Sequence, residues 1–396
     1  MTAVPLDVGE ADLDDETFLR AWSRLAIAAE NPFSTPHWHE AWMQTRRGAS
    51  GLVLAVRSGM ELTGVVPLVV ERRCGLRLVS GAGSDLADFS GPACRPEDER
   101  AVGAAVTEYM VDLLGPRDIW LVERCLAGSA WERALVDAGT EQQLLVRDWR
   151  SDNVLVQVAL SPGSSPMRRG RDRREIDRLS RKLLQSHDVT FRMSDARTAA
   201  DDVRALLALR RARWTQEPRQ EEEEFLIAVA QRAAVARLLR MWVLEEDGRM
   251  VAGLLGWGLS GRTFAHLMAF DAQYARFGPG AILLSQAVRS AVDAGDHTID
   301  FLRGDEAHKR AYVTEHRQVR SHLVTRRRSL AGCAVLVAAL GQGVYRRLPP
   351  LWRDRLRRAL PPRTARTTPH APAVSLQGPE PTDVHDRGRR PTTDRC

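Results

Sequence analysis

The sequence predicts an α/β protein in two successive parts, each a mixed, mostly antiparallel sheet flanked by helices. Three observations carry this. Strand-like and helix-like segments alternate on both sides of a Ser/Pro/Gly stretch, SPGSSP at 161–166. In the second part, after helical segments, come strands joined by short turns, as antiparallel neighbours allow, and then a loop, a helix and a further strand, as a crossover requires. The 396 residues are 44% hydrophobic and 27% charged, ordinary values for a chain that buries cores in two or three domains.

In the first part Thr35 and Pro36 start a helix on which Trp38 and Trp42 share one face. LVLAVR (52–57) and ELTGVVPLVVER (61–72) flank a Ser-Gly turn and read as a hairpin. Helical patterns at 97–114 and 129–138 surround the strand DIWLVE (118–123). After the linker comes a basic helix within 161–185, then helices at 199–215 and 221–240. MWVLEE (241–246), an Asp-Gly turn, RMVAGLLGWG (249–258) and TFAHLMAF (263–270) form the meander. A glycine loop, a helix at 280–294, the strand TIDFL (298–302), a short helix and HLVTRRR complete this part. The expected division is a tail at 1–14, domains at 15–160 and 161–330, a basic helical segment at 331–366 and a disordered tail at 367–396.

The net charge of +6 allows contact with anions, but the arginines are scattered and choose no partner. The five cysteines show no CxxC or Cys/His ligand spacing, so a reduced, cytoplasmic compartment with no structural zinc is expected. The acidic start has no secretory pattern. SLAGCAVLVAALGQGV, 329–344, falls short of the ~20 residues of a bilayer span. With the arginines that follow it, 329–360 allows peripheral contact at the inner face of the membrane, although packing on the second domain is the expectation.

The loop ARFGPGA, 275–281, joins a strand to a helix. Its glycines let backbone amides approach a phosphate at a helix N-terminus. The sequence has no Walker lysine and no GxGxxG, which argues against ATP and NAD. Lysine occurs only twice, at Lys182 and Lys309. Lys309 stands four residues after Asp305, where a helix makes an ion pair, yet such a pair does not require lysine rather than arginine.

The order of meander, glycine loop and following strand resembles the core of the GNAT acyltransferase superfamily, whose pyrophosphate loop reads Gln/Arg-x-x-Gly-x-Gly/Ala. Gly278 and Gly280 match it; the first position is Ala275, with Arg276 one place later. The chain is more closely similar to the bacterial cellulose-biosynthesis-type acetyltransferases, relatives of the Fem-type aminoacyltransferases with two GNAT-like domains. The matching stretches are NPFSTPHWHEAW (31–42), DLADFSGP (85–92), RRARW (210–214), YARFGPGAILL (274–284) and DFLRGDEAHKRAY (300–312).

The resemblance implies two GNAT-like domains and an acyl-CoA, such as acetyl-CoA, lying between splayed parallel strands at 263–270 and 298–302. Its phosphates would meet Ala275, Arg276, Phe277, Gly278, Gly280 and Ala281, and no metal is implied. An amine on a small molecule or saccharide would attack the thioester. Glu306 is the first candidate for the base, with Asp305 and then His308 behind it, and Tyr312 is the candidate acid for the thiolate. Arg303 and Lys309 are candidates for holding a negative group. Asp88, Trp38 and Trp42 are candidates for the acceptor, against a core role for the tryptophans. Two alternatives stay open: Fem-like transfer from aminoacyl-tRNA, for which the basic segment 168–182 has no aromatic interleaving, and a non-catalytic assembly module.

Overall fold

A computed structural model describes residues 5–73, 75–141, 144–160, 167, 170–213, 220–304, 309–312 and 315–333. Asp15 accepts from the Thr17 amide and starts α1 (Glu16–Ala28), which buries Phe18, Trp22, Leu25 and Ala26 along one stripe. Thr35 accepts from the Trp38 amide to start α2 (Pro36–Thr45), as the sequence predicts. The hairpin of β2 (Ala49–Ser58) and β3 (Glu61–Arg73) turns at Gly59 with φ +59°. Leu6–Glu10, expected to be tail, is β1 and pairs with β2. The first half continues with β4 (Leu76–Gly81), β5 (Ala93–Cys94), α3 (Glu99–Leu113), β6 (Asp118–Leu126), α4 (Ala130–Glu141) and β7 (Leu144–Ala159).

The second half holds α5 (Gly170–Ser186), β8 (Val189–Met193), α6 (Ala199–Arg213), α7 (Gln220–Val235), β9 (Leu239–Glu246), β10 (Arg249–Leu259), β11 (Arg262–Phe270), α8 (Pro279–Asp293), β12 (Thr298–Arg303) and β13 (Glu315–Arg326). Helix α7 ends earlier than its pattern predicts, because Arg237 turns with φ +59° and Leu239 enters β9.

The strands form one sheet in the order β1-β2-β3-β4-β6-β13-β7-β12-β11-β10-β9-β8, with β5 on β3. Each half builds an antiparallel run and then one parallel pair, β4 with β6 across α3 and β11 with β12 across α8. The last strand of each half is exchanged: β7 pairs with β12 and β13 pairs with β6, while β7 and β13 pair with each other. The result is a continuous mixed α/β sheet of two halves built on one strand plan and flanked by helices.

One core lies between the halves, where Trp38 and Trp42 of α2 meet Phe225 of α7, Trp257 of β10 and Phe264 of β11. Trp38 is 1% exposed, donates to the Ala82 carbonyl at 2.9 Å and packs edge-on to Phe225 at 4.8 Å. A second core lies under α5 and α8 on the second half of the sheet. Arg46–Glu221 at 2.5 Å, Arg262–Glu30 at 2.7 Å and Arg232–Glu40 at 3.4 Å join the halves at their rim. Among the described residues no helix is long and apolar enough to cross a membrane. Nearly all of the C-terminal basic segment and the whole final tail lie outside the described residues.

Candidate active site

β11 and β12 pair over only three positions, Arg262–Thr298, Thr263–Ile299 and Phe264–Asp300. Beyond them both strands carry an extra residue. On β11, Leu267 faces Leu255 and Ala265 faces Gly256, so His266 is a bulge. Glycine is required opposite it, since a Cβ at Gly256 would lie 2.3 Å from the Phe264 carbonyl oxygen. On β12 the register slips between Asp300 and Arg303, and Leu302 takes φ +56°. The fully buried Asp300 holds this bulge, accepting from the Leu302 amide at 2.8 Å and from Arg317 at 2.5 Å. Burial raises its pKa and Arg317 opposes the rise.

At the far end of β11 Asp271 accepts from the Gln273 amide at 3.0 Å and opens a 3-10 turn over Ala272–Phe277. Gly278, with φ +62° and ψ +46°, reverses the chain into α8, and Pro279 fills its first turn. The Ala281 and Ile282 amides return to the Gly278 carbonyl at 3.0 and 3.1 Å. The Gly280 amide has no acceptor among the described residues. A Cβ on Gly280 would lie 3.2 Å from Met268 Cε and 3.5 Å from Phe270, the β11 side chains beyond the divergence. Phe277 is buried, with the Arg276 guanidinium 4.8 Å and the Lys182 ammonium 5.7 Å from its ring centre, whereas Ala275 and Arg276 are exposed. Beside this turn lies an open pocket of about 470 Å³, lined by α6 from Ala205 to Arg213 and by Phe270, with Arg213 over that ring at 4.1 Å.

The parallel pair of the first half opens far less. β4 and β6 part after Ser80 and Leu121, and the loop at 82–91 narrows the gap to a cavity of about 50 Å³ beside Gly81, Ser84 and Glu123, with Phe89 packed against Phe33 at 5.3 Å and Phe264 at 6.1 Å. The start of α3 carries Asp98 and Glu99, charges that repel phosphate. Instead, this loop supplies a wall to the second half. Asp88 pairs with Arg303, and its Oδ2 lies 3.9 Å from His266 Nε2. His266 Nε2 donates to the Leu86 carbonyl at 3.1 Å, leaving Nδ1 buried without a partner among the described residues. Arg124, itself at φ +55°, donates to the carbonyls of Ser84 and Ala87 and fixes the loop.

Burial acts on each of these charges. It pushes the Asp88 pKa up, but Arg303, His266 and Arg124 outweigh it and hold the carboxyl below its ordinary range. Burial lowers His266, Asp88 and the hydrogen bond to the Leu86 carbonyl oppose this, and Arg303 and Arg210 add to it. Burial, then Arg303, lowers Arg124 to about 10.

Of the predicted residues, Gly280 faces the β11 side chains Met268 and Phe270, Gly278 faces Leu179 of α5, and Asp88, Arg303 and Lys309 meet at the junction of the halves. Lys309 is 9% exposed and donates to the carbonyls of Arg303 at 2.7 Å and Gly304 at 3.3 Å. Tyr312 is 1% exposed, packed edge-on to Phe301 at 5.1 Å, and burial raises its pKa. Trp38 and Trp42, at 1% and 4% exposure, belong to the core between the halves, where the Trp38 ring packs 6.1 Å from His266. Asp305, Glu306 and His308 lie outside the described residues. Sequence reasoning missed His266, a single histidine in an apolar strand with no spacing signal, because only strand register reveals the bulge.

A search of the curated proteins returns no match. Among solved structures the chain is similar to that of FemX, with 11% identity over 80% of this chain and 96% of that one and a TM-score of 0.57. It is also similar to the C-terminal domain of a protein from Agrobacterium fabrum described as a lysylphosphatidylglycerol synthetase, with 10% identity over 81% and 96% and a TM-score of 0.51. These likenesses are of fold. Residues 170–310 match the family model described as Acetyltransferase (GNAT) domain, the part that carries the divergent strands and the glycine turn, and the chain is an acyltransferase.

Proposed function

We propose that the chain is an acyl-CoA-dependent N-acyltransferase that acetylates an amine on an amino sugar or on a polysaccharide or cell-envelope precursor. One observation carries the reading: β11 and β12 part beyond Phe264 and Asp300, and the gap opens beneath the first turn of α8 at Gly278–Gly280. In this reading the CoA diphosphate meets the amides of that turn and the pantetheine arm follows Phe270 and Met268 inward. The acceptor enters at the junction of the halves, beside Asp88 and Arg303.

The amine nitrogen attacks the thioester carbon, the C–S bond breaks, and the thiolate leaves as CoA after taking a proton. Glu306, with Asp305 beside it, takes the ammonium proton. Tyr312, protonated at neutral pH as any tyrosine is, supplies the one for the thiolate. The bulge at His266 frees backbone from the β-ladder at the divergence, where an amide stabilises the developing oxyanion. Glu306→Gln is then expected to lower turnover without abolishing CoA binding.

A second reading, Fem-like transfer from aminoacyl-tRNA, draws on the likeness to FemX along most of the chain. Against it, α6 packs back on β10 and β11 and α7 on α2, so neither projects as an arm. Isothermal titration with acetyl-CoA and with aminoacyl-tRNA decides. Micromolar acetyl-CoA binding supports the first reading, tRNA binding alone supports the second, and binding of neither leaves an assembly module.

A further inference from the structure

The first half has a second polar cluster, at the place that corresponds to the Arg303 end of β12. Cys125 at the end of β6, Glu132 in the first turn of α4 and His322 on β13 are 0%, 4% and 2% exposed. Their ligand atoms all lie within 4.8 Å of one another. His322 Nε2 stands 3.0 Å from Glu132 Oε1, and its Nδ1 stands 3.0 Å from Asp148 Oδ1, off a straight hydrogen-bond line.

As it stands, Nε2 is hydrogen-bonded to Glu132 Oε1 and Nδ1 has no hydrogen bond among the described residues, so moving the proton from Nε2 to Nδ1 frees Nε2 for a cation. Asp148 is 75% exposed and faces Nδ1, the outer partner that orients a metal-bound histidine. Nε2 then directs its lone pair toward Glu132 and the thiol. Glu132 is held by the Gly128 amide, which donates to Oε2 at 2.6 Å and leaves Oε1 facing inward. A proton between His322 and Glu132 has no use for a thiol, whereas a borderline-soft cation does.

We propose that Cys125, Glu132 and His322 bind one Zn²⁺, with Asp148 orienting His322 from outside. A point between three atoms no more than 4.8 Å apart lies at most ~1 Å beyond the ~2.0–2.3 Å bonds that zinc makes, a distance side-chain rotation closes. The Cys125 thiol, now donating to the Arg320 carbonyl at 3.2 Å, loses its proton to solvent on binding. Arg320, 3.5 Å from Glu132 Oε1 and 45% exposed, swings into water as the dication takes its place. A water or the Arg320 carbonyl completes the tetrahedron. Such an ion ties β6, α4 and β13 together where the strands are exchanged.

The test is titration of chelator-stripped full-length protein with ZnCl₂ by calorimetry in two buffers of different ionisation enthalpy. One Zn²⁺ per chain with release of about one proton is expected. Cys125→Ser and His322→Gln should abolish that site, and Asp148→Asn should weaken it about 10–100-fold. Zn²⁺ uptake that both Cys125→Ser and His322→Gln leave intact overturns the proposal, as does no uptake. Should either variant fail to fold by circular dichroism, Co²⁺ added to the stripped wild type decides. A thiolate-to-cobalt charge-transfer band supports the site, and a spectrum without one overturns it.

Discussion

The Asp88 carboxylate accepts from the Arg303 guanidinium across the boundary between the halves, with side chains only 7% and 15% exposed. The first half thereby contributes a charged wall to the mouth of the second. Removing one partner of a buried pair leaves the other charge uncompensated, which costs far more than the pair contributes net.

Asp88→Asn is expected to destabilise the protein by ~3 kcal/mol at pH 7. The folded pKa of Asp88 lies below its unfolded value. Its contribution is therefore complete above the ordinary carboxylate range and is lost as the pH falls through the folded pKa. Urea melts of wild type and variant should differ most at neutral pH and converge in acid. A difference that stays constant with pH would remove the charge from the explanation.

Lys309 is expected to resist exchange for arginine, because its compact ammonium serves two adjacent carbonyls where the chain leaves β12, at Gly304 with φ +101°. A guanidinium is wider and shifts that strand end, and a ~1 Å displacement near the chemistry costs about 100-fold in rate. Lys309→Arg should lower CoA release from acetyl-CoA by that order while changing stability by less than ~1 kcal/mol. Lys309→Met, which leaves both carbonyls without this donor, should lose about 1–3 kcal/mol. Wild-type kinetics in Lys309→Arg would reduce the lysine to a replaceable cation.

Gly280→Asp is expected to weaken acetyl-CoA binding at least tenfold, since it brings a charge and side chain to the amide facing the strand divergence. The fold should survive, because the nearest atoms are the flexible end of Met268 at 3.2 and 3.4 Å. Gly280→Ala separates bulk from charge and should bind more tightly than the aspartate. Calorimetry with acetyl-CoA reads both, and equal affinities for wild type and aspartate would take α8 out of the donor site.

His39 makes the protein sensitive to mild acid. It is 1% exposed on α2, neither ring nitrogen has a partner among the described residues, and burial lowers its pKa to about 4. The unfolded chain takes up this proton near pH 6.5, so stability is complete above that pH, falls on acidification and levels off below the folded pKa. The expected loss is on the order of 3 kcal/mol. His39→Leu should flatten the stability profile between pH 6.5 and 4 in urea melts at each pH, and an unchanged slope would assign the acid sensitivity to other groups.

Local signals made most elements legible before any coordinates. Thr35-Pro36 marks the start of α2, Ser58-Gly59 the hairpin, and Gly278-Pro279 the entry to α8, because each motif acts through its own backbone. β7 was not legible, since RDWRSDN interrupts its apolar pattern and its partners β12 and β13 lie far along the chain. The partners of Lys309 were hidden for a related reason. Spacing pointed to Asp305, but the ammonium is held by backbone carbonyls, which carry no side-chain signature. Asp88 and Arg303 stood out as separate candidates, and only the packing of the halves pairs them.

The exchanged strands also govern when the molecule becomes whole during synthesis. β13 is the last strand among the described residues, yet it lies at the centre of the sheet between β6 and β7. While a ribosome is still making residues before Glu315, β6 and β7 both present an unpaired edge toward the gap, and the sheet cannot close. The keystone arrives last. A chain cut at 161–166 would give two fragments, each missing the central strand that the other encodes. Their complementation on mixing, rather than independent folding, is the behaviour this architecture dictates.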